Sequence, residues 1–463
     1  MTGRRLEHRR FGRGTVQEVR HRGLELFVLF EDGLKRWVRL EDVRFLSSSP
    51  VLETVPPPAQ VLTGEAFQSR SMVEAFRLGI VPYGHVEDFT FGRDAEIQQI
   101  KQWLNDRDMG TLVVEGGYGS GKSHLLDYLY ALALSEGYAV ARVELDPNEA
   151  PPFRPKAVYR KLIETFRYKD GNKVRGFRDF LRALARQAKD SLRSHRYLSN
   201  VVSTIGTSQE SWLWNWIEGR ESFYRPTLYE HGTAANVYCH ILGGIAWAAS
   251  PILRHKGLVV IMDEAECVDP GWYYQYQVDK GFNLIQGLSF LAGNDPRLRD
   301  EAIVPEYRPG IGSWFGKETQ LIYHGHTQVR YCFRLPSFVK VAFAFTPTYH
   351  QSLTVENVEG TYRVITQTVP RFSMVEKLQQ LGVHLLCLRL QPLSDGALKD
   401  IFEHVCLLYD SAYGFLESDR DVQGCFEVIK AKSQAGTRSF IKGSVEVLDL
   451  RRFHPSLSLE GME

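Results

Sequence analysis

The sequence has no cysteine spacing from which a site could be built. Its six cysteines (Cys239, Cys267, Cys332, Cys387, Cys406, Cys425) lie scattered through 463 residues without a C-x-x-C pair. That argues against zinc ribbons and disulfide frameworks and reads as reduced thiols in a cytoplasmic protein. Long apolar runs are missing too. The longest nearly uncharged apolar segment, residues 241–253, is too short to span a bilayer and reads as a buried helix. The opening residues, Met1 to His8, lack the apolar core of a secretory signal. No membrane is therefore expected as a partner. Formal net charge is only +1, so no global field draws the chain to nucleic acid. Helicase motifs, a nuclease carboxylate cluster and a methyltransferase pattern are also absent, which leaves any cutting or modification of DNA to a partner.

What is present centres on residues 111–126. An apolar run, Thr111–Glu115, breaks into a glycine-rich turn and resumes as a helical pattern from Lys122. Gly116, Gly121, Lys122 and Ser123 fill every fixed position of the G-x-x-x-x-G-K-[ST] phosphate loop. Glycines let backbone N–H groups converge on phosphate oxygens, and the following helix adds its N-terminal dipole. Gly116, Gly117, Tyr118, Gly119, Ser120, Gly121, Lys122, Ser123 and His124 are the expected ATP-binding stretch. Lys122 is expected to reach the β- and γ-phosphates and Ser123 to ligate Mg²⁺.

A second element supports the first. The run 257–262 is apolar and ends in Asp263 and Glu264, the Walker B arrangement. Asp263 is expected to hold Mg²⁺, and Glu264 to orient and polarise the attacking water. Five strand-like runs (111–115, 139–144, 258–262, 341–345, 384–390) alternate with helical patterns. They imply an α/β fold with a parallel sheet and ligand at the strands' carboxyl ends.

Other parts are set off by composition. Residues 1–48 alternate around glycine turns, as a small antiparallel β-barrel does. Their F-G-x-G-x-V opening (Phe11 to Val16) and the Phe30-Glu-Asp-Gly-Leu-Lys35 hairpin resemble SH3-like or Tudor-like modules. Residues 49–68 form a proline-rich linker. The core is placed at 69–390, with helical insertions at about 150–255 and 266–335, and a helical lid at 391–463. Residues 151–200 carry fourteen Lys/Arg against four Asp/Glu, and Arg178, Arg182, Arg186 and Lys189 recur at helical spacing. Such a face suits DNA or RNA phosphates, or is simply solvated. Trp212, Trp214 and Trp216 read as core or partner-docking surface. The pair His324 and His326 lacks a third ligand and is weak evidence for metal.

Phe91-Gly-Arg-Asp-Ala-Glu96 resembles the entry segment of AAA+ and related ATPases, which makes Val81, Pro82 and Tyr83 candidates for the adenine pocket. In additional-strand ATPases a polar residue at the tip of the fourth strand contacts the γ-phosphate or water, and Thr346 is the match, with Thr348 second. Gly436-Thr-Arg438 resembles the "P-R" lid signature of related ATPases, threonine replacing proline, and implies that Arg438 reaches the γ-phosphate. Arg371 is the weakest match, to an arginine finger. From Gly79 to Pro455 the ensemble is similar to a bacterial family of P-loop ATP-binding proteins that accompany phage-defence operons of the BREX type. The matching residues are Ile80–Pro82, Val86–Arg93, Gly117–Leu126, Met262–Glu266, Phe345–Pro347 and Arg438. The resemblance implies a Mg²⁺-dependent ATPase acting with other defence proteins, on DNA or on those partners, and is compatible with a homo-oligomer in which an arginine is supplied in trans. Three readings stay open: a hydrolysing motor or switch, an ATP-retaining scaffold, and a helicase loader.

Overall fold

Strict alternation shapes the first unit. In the computed structural model, residues 5–20, 25–45, 64–187, 190–221, 225–356, 362–415, 419–432 and 436–454 are described. They divide into two units, Met1–Thr63 and Gly64–Glu463. In the first, β1 (Arg5–His8), β2 (Gly12–Arg20), β3 (Glu25–Phe30), β4 (Lys35–Arg39) and β5 (Val43–Phe45) form one antiparallel sheet in the order β4-β3-β2-β1-β5. Leu6, Val16, Leu26, Val28, Phe30 and Val38 are its buried core, one side of each strand, as a two-residue period requires. The sheet fits a small barrel-like domain. The linker assigned to 49–68 lies outside the described residues as far as 63.

The second unit begins with α1 (Gly64–Arg77) and α2 (Asp94–Asn105). There follow β6 (Thr111–Glu115), α3 (Lys122–Ser135), β7 (Ala139–Glu144), α4 (Pro155–Thr165), β8 (Arg167–Asp170), β9 (Lys173–Gly176), α5 (Phe177–Gln187), α6 (Leu198–Thr204), α7 (Glu210–Ile217) and α8 (Ala235–Trp247). Next come β10 (Leu258–Asp263), α9 (Gln275–Ala292), α10 (Arg297–Asp300), β11 (Ile303–Arg308), β12 (Gly312–Gly316), β13 (Val339–Phe345), β14 (Thr348–Glu356) and β15 (Tyr362–Pro370). The chain closes with α11 (Met374–Gln380), β16 (Leu385–Arg389), α12 (Asp395–Tyr413), α13 (Asp419–Lys432) and α14 (Thr437–Phe453).

The main sheet runs β16-β6-β13-β10-β7-β8-β9. Its first five strands pair in parallel, and β8 and β9 extend it antiparallel. β13 thus lies between β6 and β10, which brings the tips of all three side by side. These three strands are buried along their whole length, as strands covered on both faces must be. Alternation then divides the core. Leu112, Val114, Val259 and Ile261 pack with α2 and α3, whereas Val113, Val260 and Met262 pack with the inserted helices.

Three differences from the expectation have local causes. The insertions are not wholly helical: β8 and β9 form a hairpin turning at Gly171, whose φ of +58° suits glycine, and β11 and β12 form another. The nine-pair hairpin β14–β15, directly after Thr346, is a further addition. Thr348 starts it, opposite Pro370. Finally α1, set before the sheet in sequence, joins the C-terminal helices: Met72, Val73 and Phe76 share a core with Phe402, Tyr409, Phe426 and Phe440. No helix among the described residues is long and apolar enough to cross a membrane.

Candidate functional site

The break between β6 and α3 builds the site's floor. Gly121 takes φ +94° at the cap of α3, a backbone conformation that a side chain would strain. The loop therefore doubles back sharply and aims the first turn of α3 at the space above it. Lys122, 6 % exposed, folds over this loop, its Nζ donating to Gly116 O at 3.0 Å and to Gly117 O at 3.2 Å. The ammonium is thereby held over the turn by the loop's own carbonyls.

Above the loop is a cleft of about 250 Å³. One half of its wall is apolar: Phe76, Ile80, Val81, Phe91, Leu393 and Ile441. The other half is polar, with Tyr118 to Ser123, Asp127, Glu264 and Arg438. A flat apolar end and a donor-rich end suit a nucleotide's base and phosphates respectively. Of the expected base-pocket residues, Val81 lines the wall. Pro82 O instead accepts from His85 N at 2.9 Å, and the Tyr83 side chain lies outside the described residues.

Two glycines set how closely the C-terminal helices approach. Gly436, at φ +96°, brings the start of α14 onto the loop, where a Cβ would lie 2.9 Å from Gly119 O. Gly79, at φ +68°, leaves room for Arg438, whose Cγ would be 2.6 Å from a Cβ there. Gly79→Val is expected to push Arg438 off the wall and weaken nucleotide binding about ten-fold. An unchanged dissociation constant in a fluorescent-nucleotide titration would show that this contact does not shape the cleft.

The end of β10 and the turn after it carry Asp263, Glu264 and Glu266, of which Glu264 lines the cleft. Asp263 ends β10, 2 % exposed, with Oδ1 accepting from Glu264 N at 3.0 Å and Oδ2 from Arg142 Nη2 at 2.8 Å. Glu264 then adopts φ +54°, a turn that swings its carboxylate toward the cleft. Burial pushes its pKa up to about 7, and the neighbouring Glu266 and Asp263 carboxylates add to the shift. Thr346 stands at the adjacent tip of β13, its N–H donating to Glu266 Oε2 at 3.1 Å. Glu266, 5 % exposed, therefore ties two strand tips together.

Several side chains with clear structural work were not assigned from the sequence. Arg93, 7 % exposed, donates to Ser120 O, Gln391 O and Glu96, pinning the loop to the start of the C-terminal helices. Arg142 bridges Asp263 and Asp127. The signal for Arg142 was present as a charge inside the apolar run Ala139-Val-Ala-Arg-Val143. Other candidates fall away from the cleft. Arg371 Nη1 donates to Asp269 O. The His324 ring lies against that of Tyr229, centroids 4.1 Å apart and tilted by 31°, and no group of three or more His, Cys, Asp or Glu placed to hold a metal occurs among the described residues. Arg178 forks onto Glu218, and Arg182 pairs with Glu210 while both cap the Trp214 ring. Two of the four named cations are thus paired within the chain; Lys189 lies outside the described residues. Trp214 and Trp216 are core, and Trp212 is exposed.

His124 belongs to the same wall, with Nε2 2.8 Å from Thr90 Oγ1. Burial, and then the Arg93 charge, depress its pKa to about 4; burial does the same to His240. Both rings are neutral in the fold but protonate near pH 6.5 when unfolded. The stability they confer is complete above about pH 6.5 and lost as pH falls toward 4, about 3 kcal/mol per ring at the acid limit. In Glu264→Gln, which removes the opposing effect of the raised Glu264 pKa, the melting temperature should be level from pH 8 to 7 and fall between 6.5 and 4. A level profile down to pH 4.5 would refute this.

Comparison with known proteins covers the floor of this cleft. Residues 65–208 match the family described as BREX system ATP-binding protein BrxC/D. The matched segment holds α1, the Gly116–Ser123 loop and Arg142. It stops short of Asp263, Thr346 and Arg438. No curated protein matches the chain.

Proposed function

We propose that the Gly64–Glu463 unit is a Mg²⁺-dependent ATPase of the P-loop, additional-strand kind, with α12–α14 as its lid. It would serve as a nucleotide-driven motor or switch among the proteins of a phage-defence system. One observation carries the reading. Tyr118–Ser123 of the loop, Glu264 and Arg438, far apart in sequence, line a single cleft with an apolar end for the base. The BrxC/D match over 65–208 supports ATP as the nucleotide and phage defence as the setting.

In this reading backbone N–H groups of residues 117–123 grip the phosphates, and Lys122 exchanges its loop carbonyls for phosphate oxygens. The donor set suits Mg²⁺: a hydroxyl at Ser123 and a buried carboxylate at Asp263 amid further acids that call for a cation. When bound, the ion neutralises phosphate charge. Glu264 orients water and takes its proton; Thr346 and Arg438 address the γ-phosphate from strand and lid. A water-activating carboxylate in the cleft favours hydrolysis over passive retention. Because Arg178 and Arg182 are already paired, partner proteins are the stronger candidate for what the nucleotide state acts on, with DNA second.

The test is ATP turnover with and without double-stranded DNA across a salt series. Measurable Mg²⁺-dependent hydrolysis supports the reading, and none with any partner overturns it. DNA stimulation that fades with salt would bring DNA in as a second partner.

A further inference from the structure

Strand β7 carries a charge where a core strand has no packing need of one. Val140, Ala141 and Val143 are buried, yet Arg142 sits among them and points to the end of the sheet that carries the cleft. Its Nη2 donates to Asp263 Oδ2 at 2.8 Å, while Nη1 pairs with Asp127 of α3. Asp127 lines the same cleft as Ser123. A permanently charged, planar guanidinium is thus fixed between two carboxylates, one of them the residue assigned to Mg²⁺.

We propose that Arg142 is a positioning residue that supplies a cation's charge to Asp263 and Asp127 and thereby makes Mg²⁺ binding conditional on nucleotide phosphates. The inference rests on the ATPase reading. Asp127 and Asp263 meet at Arg142, and without its guanidinium the two carboxylates would attract a divalent cation more strongly. Arg142 cancels part of that attraction. Mg²⁺ usually keeps several waters and is held by one or two carboxylates together with substrate phosphates. With Arg142 in place the protein's share is too weak alone, and the phosphates must complete it. The metal then arrives with ATP, and an acidic site without nucleotide stays assembled without metal.

The experiment uses the full chain without nucleotide, following the melting temperature as MgCl₂ is added at constant ionic strength. Wild type should not shift. Arg142→Met should melt lower in EDTA, and MgCl₂ alone should restore it, with half-effect at least about ten-fold below any wild-type response. Arg142→Lys retains the charge and should behave as wild type. Equal Mg²⁺ shifts in wild type and Arg142→Met would overturn the proposal, as would an Arg142→Met chain that melts lower but gains nothing from Mg²⁺.

Should Arg142→Met fail to fold, Asp127→Asn gives the complementary test. Freeing the Arg142 charge from one partner should raise the Mg²⁺ concentration needed for tight binding of a fluorescent ATP analogue. No change there would also overturn the proposal. Wild type that binds no ATP at all would sink the ATPase reading instead, so the two failures are distinguishable.

Discussion

Lys122→Ala is expected to lose ATP binding. The wild-type ammonium is 6 % exposed and already desolvated, held by two loop carbonyls at 3.0 and 3.2 Å. Exchange for phosphate oxygens therefore replaces neutral acceptors with charged ones at little further desolvation cost. Truncating one partner of such a buried charge pair costs about 2–5 kcal/mol, which corresponds to a loss of affinity of roughly 30- to several thousand-fold. The backbone N–H groups and the apolar end of the cleft remain, so residual binding should be in the millimolar range at best. Fold integrity is checked by the melting temperature, since two hydrogen bonds at about 1 kcal/mol each are lost as well. Titration of a fluorescent ATP analogue reads the result. Unchanged affinity in a folded Lys122→Ala chain would end the phosphate-loop assignment.

Glu264→Gln separates binding from turnover. The amide has the same shape and tolerates the same φ of +54° no worse than the acid. What it lacks is a site for the water's proton. General-base catalysis contributes about 10²- to 10⁴-fold, and hydrolysis should fall by that factor while ATP affinity holds. The substitution also removes one of three crowded carboxylates, since Glu264 is flanked by Asp263 and Glu266. Its melting temperature near pH 8 should therefore equal or exceed that of wild type. Single-turnover hydrolysis alongside equilibrium nucleotide binding gives both numbers. Turnover at the wild-type rate would remove Glu264 from the mechanism, and loss of binding would recast it as a structural residue.

The elements readable from the chain were those whose physics is local. Glycines at fixed spacing before Lys122 announce a turn that only close backbone approach explains. The strand edges at 111–115 and 139–144 coincide with β6 and β7, because apolar runs bounded by glycine and charge leave little freedom at their ends. Residues 1–48 alternate cleanly enough for the sheet of the first unit to follow from period two alone. The hairpins β8–β9, β11–β12 and β14–β15 were missed for the complementary reason. β8 and β9 have four residues each, too short to show a period, and β14 and β15, though nine residues long, pair with each other as a separate two-stranded sheet.

Sequence alone sufficed for the loop, the acidic strand end and the alternation of strands with helices, because each depends on residues a few positions apart. Which of them meet depended on the tertiary structure. Placing β13 between β6 and β10 brings Thr346 beside Glu266, from residues 80 positions apart. Folding α1 against α12 and α14 brings Phe76 and Arg438 to the same cleft. The same assembly pairs Arg178 and Arg182 with Glu218 and Glu210, so part of a basic run is balanced by acids from outside it. It also sets Arg142 between Asp127 and Asp263. Charge patterns are read along the chain, but ion pairs form across it, and only the packed sheet decides which cation reaches which carboxylate.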